Sequence, residues 1–213
     1  MNSIIVISGP SGSGKSTLIR HLLQKHPEIV FSTSHTTRTK RNREIEGRDY
    51  YFVSKGQFQE MIDNGEFVEW AKVYGNYYGT SFREIEKKAR SSSTKYLVLD
   101  IDVQGAKNIK AKYPDALFIF VVPPSMEELQ RRLVGREKKV DAAVRKRLQI
   151  AEDELKQYFI YDYVIINDNL ERSFHVLNSI FIASRNSTAR RESFIKKLLN
   201  SRKTTVGEYG GQR

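Results

Sequence analysis

Cysteine is absent from the 213 residues, which excludes disulfides, thiolate metal centres and a cysteine nucleophile, and suits a reducing compartment. No uninterrupted apolar run approaches the ~20 residues that a membrane-spanning helix needs. Histidine is sparse, and His21, His26, His35 and His175 read as ordinary residues, so no catalytic imidazole is expected. The opening stretch Met1-Asn2-Ser3-Ile4-Ile5-Val6-Ile7-Ser8 lacks a basic leader and runs straight into a glycine-rich turn. It therefore reads as a core strand and not as a signal peptide, and the expected location is cytoplasmic.

What the chain does contain is enough apolar sequence for one sizeable core: 39% of its residues are hydrophobic and 29% charged, the balance of a soluble globular protein. The formal net charge is +11, and its distribution matters more than its size. Residues 131–147 carry eight Lys/Arg against Glu137 and Asp141, and residues 185–213 carry eight against Glu192 and Glu208. The remainder is close to neutral. Two basic segments need explaining, not a basic protein.

Hydrophobic periodicity gives the architecture. Ile4 to Ile7 is a β-branched strand run, followed by a glycine turn and a helix marked by Leu18, Ile19, Leu22 and Leu23, with Pro27 closing it. Tyr96 to Leu99, Leu117 to Val122 and Tyr163 to Ile166 read as further buried strands, and Val144, Leu148, Ala151 and Leu155 as a helical stripe. Strands separated by helices imply a doubly wound α/β core with a parallel sheet. Between about Phe31 and Phe82 the texture changes to Thr, Tyr, Arg and Gly, which predicts short antiparallel strands around a helix capped by Ser54 and Gln57. Ser125 and Glu128 predict a second capping box. After about Ser187 a helix containing Phe194, Ile195, Leu198 and Leu199 is expected, then a Gly/Lys/Thr-rich end expected to be disordered.

Gly9-Pro10-Ser11-Gly12-Ser13-Gly14-Lys15-Ser16 fits the phosphate-binding loop G-x-x-x-x-G-K-S, in its required place between a strand and a helix. Its glycines let backbone N–H groups converge on an anion, and the helix N-terminus adds partial positive charge. Lys15 is expected on the β- and γ-phosphates of ATP, Ser16 on Mg²⁺, and Thr17 beside them. Such a loop needs an acid at a neighbouring strand end to hold the metal, and Asp100 is favoured over Asp102.

Five further segments narrow the acceptor: Ser34-His35-Thr36-Thr37-Arg38-Thr39-Lys40-Arg41, Gly47-Arg48-Asp49-Tyr50-Tyr51-Phe52, Glu66-Phe67-Val68-Glu69-Trp70, Asn76-Tyr77-Tyr78-Gly79-Thr80 and Asp100-Ile101-Asp102-Val103-Gln104-Gly105. From about Ser3 to about Phe181 the chain resembles the guanylate kinase family. The resemblance implies a P-loop three-layer core (1–30, 83–125 and 148–187), a mixed-β GMP-binding insertion (31–82) and a short helical lid (126–147), with 188–213 a basic, partly disordered tail. It implies that Arg38, Arg41, Tyr50 and Tyr78 hold the GMP phosphate, and that Glu69, Ser34 and Asp102 read guanine with support from Thr80. It implies that Arg132, Arg136, Arg147 and Asn167 serve ATP, with Lys15, Arg38, Arg136 and Arg147 the residues of phosphoryl transfer. The chain departs from the family pattern at His35, at Lys40 and at Glu137-Lys138-Lys139.

The implied reaction transfers the γ-phosphoryl group of Mg·ATP to GMP, with dGMP an expected second acceptor. Two other readings stay open. One is a noncatalytic binding module of the same fold, which the intact loop disfavours; the other is a kinase for a different nucleoside monophosphate, which Glu69 and Ser34 disfavour. Monomer and homo-oligomer are both compatible with the sequence, as is weak RNA binding by the tail.

Overall fold

The computed structural model describes residues 3–42, 44–73, 75–89, 95–137 and 142–206. Five parallel strands form the central sheet in the order β2-β7-β1-β8-β9: β1 (Ser3–Ser8), β2 (Ile29–Phe31), β7 (Tyr96–Asp100), β8 (Leu117–Val122) and β9 (Tyr163–Ile166). The central strands are almost uniformly apolar because both faces are covered, as parallel sheets require. Ile5, Ile7, Val98, Ile119 and Val121 point to one face, where α1 (Lys15–Lys25) contributes Leu18 and Leu22, and α7 (Leu170–Arg185) contributes Leu177 and Phe181. Val6, Leu97, Leu99, Phe118 and Phe120 point to the other, against Val103, Ala106 and Ile109 of α4 (Val103–Lys112). The doubly wound α/β reading is therefore correct.

The strand-to-helix order of the sheet sends β1 and β7 to the same edge, where their carboxyl ends open into loops. That edge is where ligands bind in such sheets. A second, four-stranded sheet stands over it in the order β4-β3-β6-β5, built from β3 (His35–Thr36), β4 (Tyr51–Phe52), β5 (Phe67–Val73) and β6 (Asn76–Ser81). Its pairings are antiparallel except β3 with β4, which is parallel. The antiparallel expectation is corrected there: β4 reaches β3 through a long connection and not a hairpin, so no turn imposes antiparallel register.

One aromatic stack holds the second sheet together. Phe58 of α2 (Lys55–Asp63) is fully buried and stacks on Phe67 at 4.5 Å and Tyr77 at 5.4 Å. Ser54 and Gln57 complete the predicted capping box at 3.2 and 2.9 Å. Trp70, the sole tryptophan, lies on β5 with its ring centroid 6.1 Å from Tyr77. From β6 the chain enters α3 (Phe82–Ala89), whose Glu84 carboxylate is buried and accepts from Thr33 N–H at 3.2 Å.

A helical pair flanks the cleft on the opposite side. α5 (Met126–Glu137) packs Leu129 and Leu133 against Val144 and Ala151 of α6 (Ala142–Leu155). Only half of the predicted Ser125 box forms: its Oγ accepts from Glu128 N–H at 3.2 Å, while the Glu128 carboxylate binds Arg131 and Arg132, each at 2.7 Å. Two charged donors outcompete a single backbone amide. The last helix, α8 (Thr188–Val206), extends the expected tail helix, and residues 207–213 lie outside the described residues. No helix among the described residues is long and apolar enough to cross a membrane.

The stack gives a direct test. Phe58→Ala should cost about 3 kcal/mol of unfolding free energy in urea, with amide exchange accelerating across β3–β6 before the parallel sheet opens. Equal loss of protection in both sheets would contradict the separation described above.

Candidate functional site

The residues between β1 and α1 wrap into a loop whose path is fixed from behind. Gly9 has φ 145°, and a side chain there would place its Cβ 2.0 Å from the Val121 carbonyl oxygen of β8. Gly14 has φ 93°, and its Cβ would meet the Asn167 amide nitrogen at 2.2 Å. Both glycines are thus demanded by backbone conformation and by close approach. Asn167, buried just past β9, donates through Nδ2 to the Ser13 carbonyl at 2.7 Å. Arg132 of α5 donates from Nη1 to the same carbonyl at 3.3 Å and from Nη2 to the Asn167 carbonyl at 2.8 Å. In this arrangement both side chains grip the loop's backbone from its rear.

Inside the loop, the Lys15 ammonium donates to the carbonyls of Gly9 (2.5 Å) and Pro10 (3.3 Å). Ser16 Oγ lies 3.4 Å from Asp100 Oδ2, at the carboxyl end of β7. Burial raises the Asp100 pKa above its ordinary value, with Lys15 and Ser16 working against that shift. Asp100 is not the helix cap. That task falls to Asp102, whose Oδ1 accepts from Gly105 N–H at 2.7 Å at the start of α4. Burial raises the Asp102 carboxyl as well.

Across the cleft, β5 carries Glu69. A register shift between Phe67 and Glu69 breaks the strand's alternation, so that Phe67, Val68 and Glu69 are all buried. The irregularity lets Val68 join the apolar cluster on α4 while Glu69 turns into the cavity. Burial pushes the Glu69 carboxyl up to about 7, against hydrogen bonds from the Thr80 hydroxyl and backbone N–H. Ser34 Oγ is 3.3 Å from Thr80 Oγ1. Gly105 leaves room for the carboxylate, since a Cβ there would sit 2.6 Å from Glu69 Oε2.

Arg38 lies against the Tyr50 ring, its guanidinium carbon 5.4 Å from the centroid, and Tyr50 meets Tyr78 at 6.1 Å. Burial raises the Tyr50 hydroxyl far above its ordinary pKa, so it remains a donor at neutral pH. The Arg38 fork is engaged by Glu44 through Nη1 (3.1 Å) and Nη2 (2.6 Å), and Glu44 also accepts from Arg41 N–H at 2.8 Å. Sequence reading missed Glu44; its only signal is an acid three residues after Arg41. It also missed Glu154 of α6, whose carboxyl is raised to about 7 by burial and whose Oε2 has no hydrogen-bond partner.

One cavity of about 900 Å³ joins these groups. Gly9, Ser11, Gly12, Gly14, Lys15, Ser16 and Thr17 line it on the loop side; Ser34, Arg38, Arg41, Tyr50, Glu69 and Tyr78 line it on the other, with Asp100, Asp102, Arg147 and Glu154 between. Thr80 touches it through Glu69 and Ser34. Pro10 and Ser13 shape the loop without facing the cavity, their carbonyls serving Lys15 and Arg132. The Arg136 side chain and residues 138–141 lie outside what the structure describes.

The guanylate kinase family model matches residues 1–184. The chain is 49% identical over 191 residues to a guanylate kinase of Myxococcus xanthus, covering 89% of this chain and 88% of the relative. It is 44% identical over 187 residues to that of Geobacter sulfurreducens, covering 88% and 91%. A solved guanylate kinase from Anaplasma phagocytophilum superposes with a TM-score of 0.72 at 36% identity, covering 89% of each chain.

Glu69 makes stability depend on pH. Its folded pKa is raised from 4.5 to about 7, so its contribution is full below pH 4.5 and is lost as pH rises through 7. Glu69→Gln removes that loss. In urea titrations of the unliganded protein the variant should gain on the wild type between pH 5 and 8, reaching about 3 kcal/mol, and a pH-independent difference would refute the buried carboxylate.

Proposed function

The chain belongs to the guanylate kinase family and is an ATP:GMP phosphotransferase, and we propose that the two sides of its one cleft divide the reaction between donor and acceptor. The phosphate loop holds ATP, the second sheet (within 31–82) holds GMP, and the helical pair (126–147) closes over both. The observation that carries this reading is the buried Glu69 carboxylate facing the same cavity as Lys15. A carboxylate accepts from guanine N1–H and the exocyclic amine together, a pattern adenine does not offer, and Ser34 donates to O6.

At the other end of GMP, Arg38, Arg41, Tyr50 and Tyr78 offer guanidinium and phenol donors to a tetrahedral dianion. That phosphate has a second pKa of about 6, so it attacks without a general base. One of its oxygens bonds to the γ-phosphorus of ATP as the bond to the β-bridging oxygen breaks, giving GDP and ADP. Lys15 releases the Gly9 and Pro10 carbonyls to follow the transferring group, and Arg136 and Arg147 neutralise the charge spread over its oxygens. The residues here contact base and phosphate, which leaves the 2′-position unread and admits dGMP. Asn167 and Arg132 act on ATP by holding the loop that binds it.

A divalent cation fits the loop. Ser16 and Asp100 set two hard oxygens side by side, and no cluster of three or more His, Cys, Asp or Glu occurs among the described residues. Such a pair suits Mg²⁺ carried by nucleotide phosphates, which leave it few protein ligands. Bound there, Mg²⁺ would neutralise phosphate charge. A cytoplasmic location accords with the absence of cysteine and with nucleotide substrates.

Two substitutions test the assignment. Lys15→Met should abolish most turnover while circular dichroism and melting remain native; a folded variant with near wild-type kcat would overturn the donor side. Glu69→Ala should collapse the GMP:AMP ratio of kcat/KM, since readout of this kind can reach about 10⁴-fold, while KM for ATP barely moves. Equal loss on every acceptor would remove the guanine assignment and leave only the phosphotransferase.

A further inference from the structure

The irregularity in β5 leaves one residue out of the sheet's pairing. Phe67 faces Ser81 and Glu69 faces Thr80 across the ladder with β6, while the buried Val68 between them has no opposite residue. A bulged residue loses its place in the strand-to-strand bonding, and a carbonyl left there without a donor is costly. The donor comes from outside the sheet. Lys112, the last residue of α4, donates from Nζ to the Val68 carbonyl oxygen. Its ammonium also stands 5.4 Å from the centroid of the Phe82 ring, where the chain leaves β6 for α3.

The same helix makes a matching contact elsewhere. Lys110 donates from Nζ to the Ile160 carbonyl at 2.5 Å, in the turn before β9, and lies 4.7 Å from the Phe118 ring centroid. Both contacts set a lysine ammonium on a backbone carbonyl beside an aromatic face. Lys110 braces the core against itself, whereas Lys112 reaches across to the acceptor sheet. α4 therefore meets β5 at both of its ends. Near its start, Gly105 leaves room for the Glu69 carboxylate, since a Cβ there would lie 2.6 Å from Oε2; at its last residue, Lys112 holds the carbonyl immediately before Glu69.

We propose that Lys112 is a positioning residue for acceptor selection: by holding the Val68 carbonyl it fixes the bulge, and the bulge fixes the Glu69 carboxylate in the cleft. The proposal rests on the guanine reading of Glu69 given above. Without the ammonium, the Val68 carbonyl must turn to water or the strand must shed its extra residue. A slip of one residue sends side chains to the opposite face, which takes Glu69 out of the cavity. The charge of Lys112 works in the same direction. Burial raises the Glu69 carboxyl, and Lys112 is among the groups that oppose the rise, favouring the ionised form that accepts from two donors at once. Lys112 does this from behind the sheet, away from the residues that line the nucleotide cavity.

Lys112→Met in the full chain keeps the apolar stem and removes the ammonium, at an exposed residue where the fold should tolerate it. The GMP:AMP ratio of kcat/KM should fall, by up to about 100-fold for a small misplacement of a recognition group, chiefly through a higher KM for GMP, while KM for ATP stays at the wild-type value. Lys112→Arg, which keeps donor and charge, should restore the ratio. Lys112→Gln, uncharged and one bond shorter, should show the same loss and repeats the test if the Met variant aggregates. Lys110→Met removes the matching contact and should lower the melting temperature without moving the ratio. In a Glu69→Ala background, Lys112→Met should change the ratio no further, because the group it positions is gone. A Lys112→Met variant that slows GMP and AMP alike, or whose effect adds to that of Glu69→Ala, overturns the proposal and leaves Lys112 a structural brace. The two assignments fail separately: if Glu69→Ala leaves the ratio at the wild-type value the guanine reading falls, and if Glu69→Ala collapses it while Lys112→Met does not, the role of Lys112 alone falls.

Discussion

The approach of the loop after β1 to the backbone of β8 is the constraint on which the cleft depends. The loop must present its N–H groups outward to an anion, so its other side must rest on something that cannot yield. That support is the end of the parallel sheet. The Val121 carbonyl leaves no room for a side chain at Gly9, Asn167 leaves none at Gly14, and Arg132 ties the Ser13 carbonyl to the strand beyond. Sheet, loop and helical pair are therefore linked by a few hydrogen bonds from the Arg132 and Asn167 side chains to backbone carbonyls, and movement of α5 must be felt at Ser13.

Much of this was legible in the sequence because it is local. A contiguous loop motif between a β-branched run and a helical stripe reports strand, turn, helix and ligand class together. The same holds for the Ser54 cap, whose two partners are three residues apart. What escaped depends on the third dimension. Glu44 is an unremarked acid until the insertion folds and sets it on the Arg38 fork, and Glu154 is a polar residue of an amphipathic helix until α6 packs beside the loop. The Ser125 box half-failed for a related reason. Sequence shows that Glu128 could reach back, but not that Arg131 and Arg132 hold it. Arg132 and Asn167 illustrate a further limit, since proximity to ATP is implied by resemblance while their observed partners are carbonyls of the loop.

Four carboxyls in the cleft share one electrostatic condition. Asp100, Asp102, Glu69 and Glu154 are all raised by burial. Glu69 is buried and the other three are partly exposed to the cavity, and each is offered only partial compensation by Lys15, Thr80 or a backbone amide. On the proposed assignment, the donors that would relieve this are guanine N–H groups at Glu69 and a cation at Asp100.

The bulge in β5 has an optical consequence. By turning Glu69 into the cavity it places the adjacent Trp70 on the opposite side of the strand, partly in solvent and beside Tyr77. The chain thus carries a single indole one peptide bond away from the carboxylate proposed to read the base. Its emission reports on the acceptor sheet alone, with no other tryptophan to obscure it. Movement of that sheet can therefore be followed in the unmodified chain, without a label.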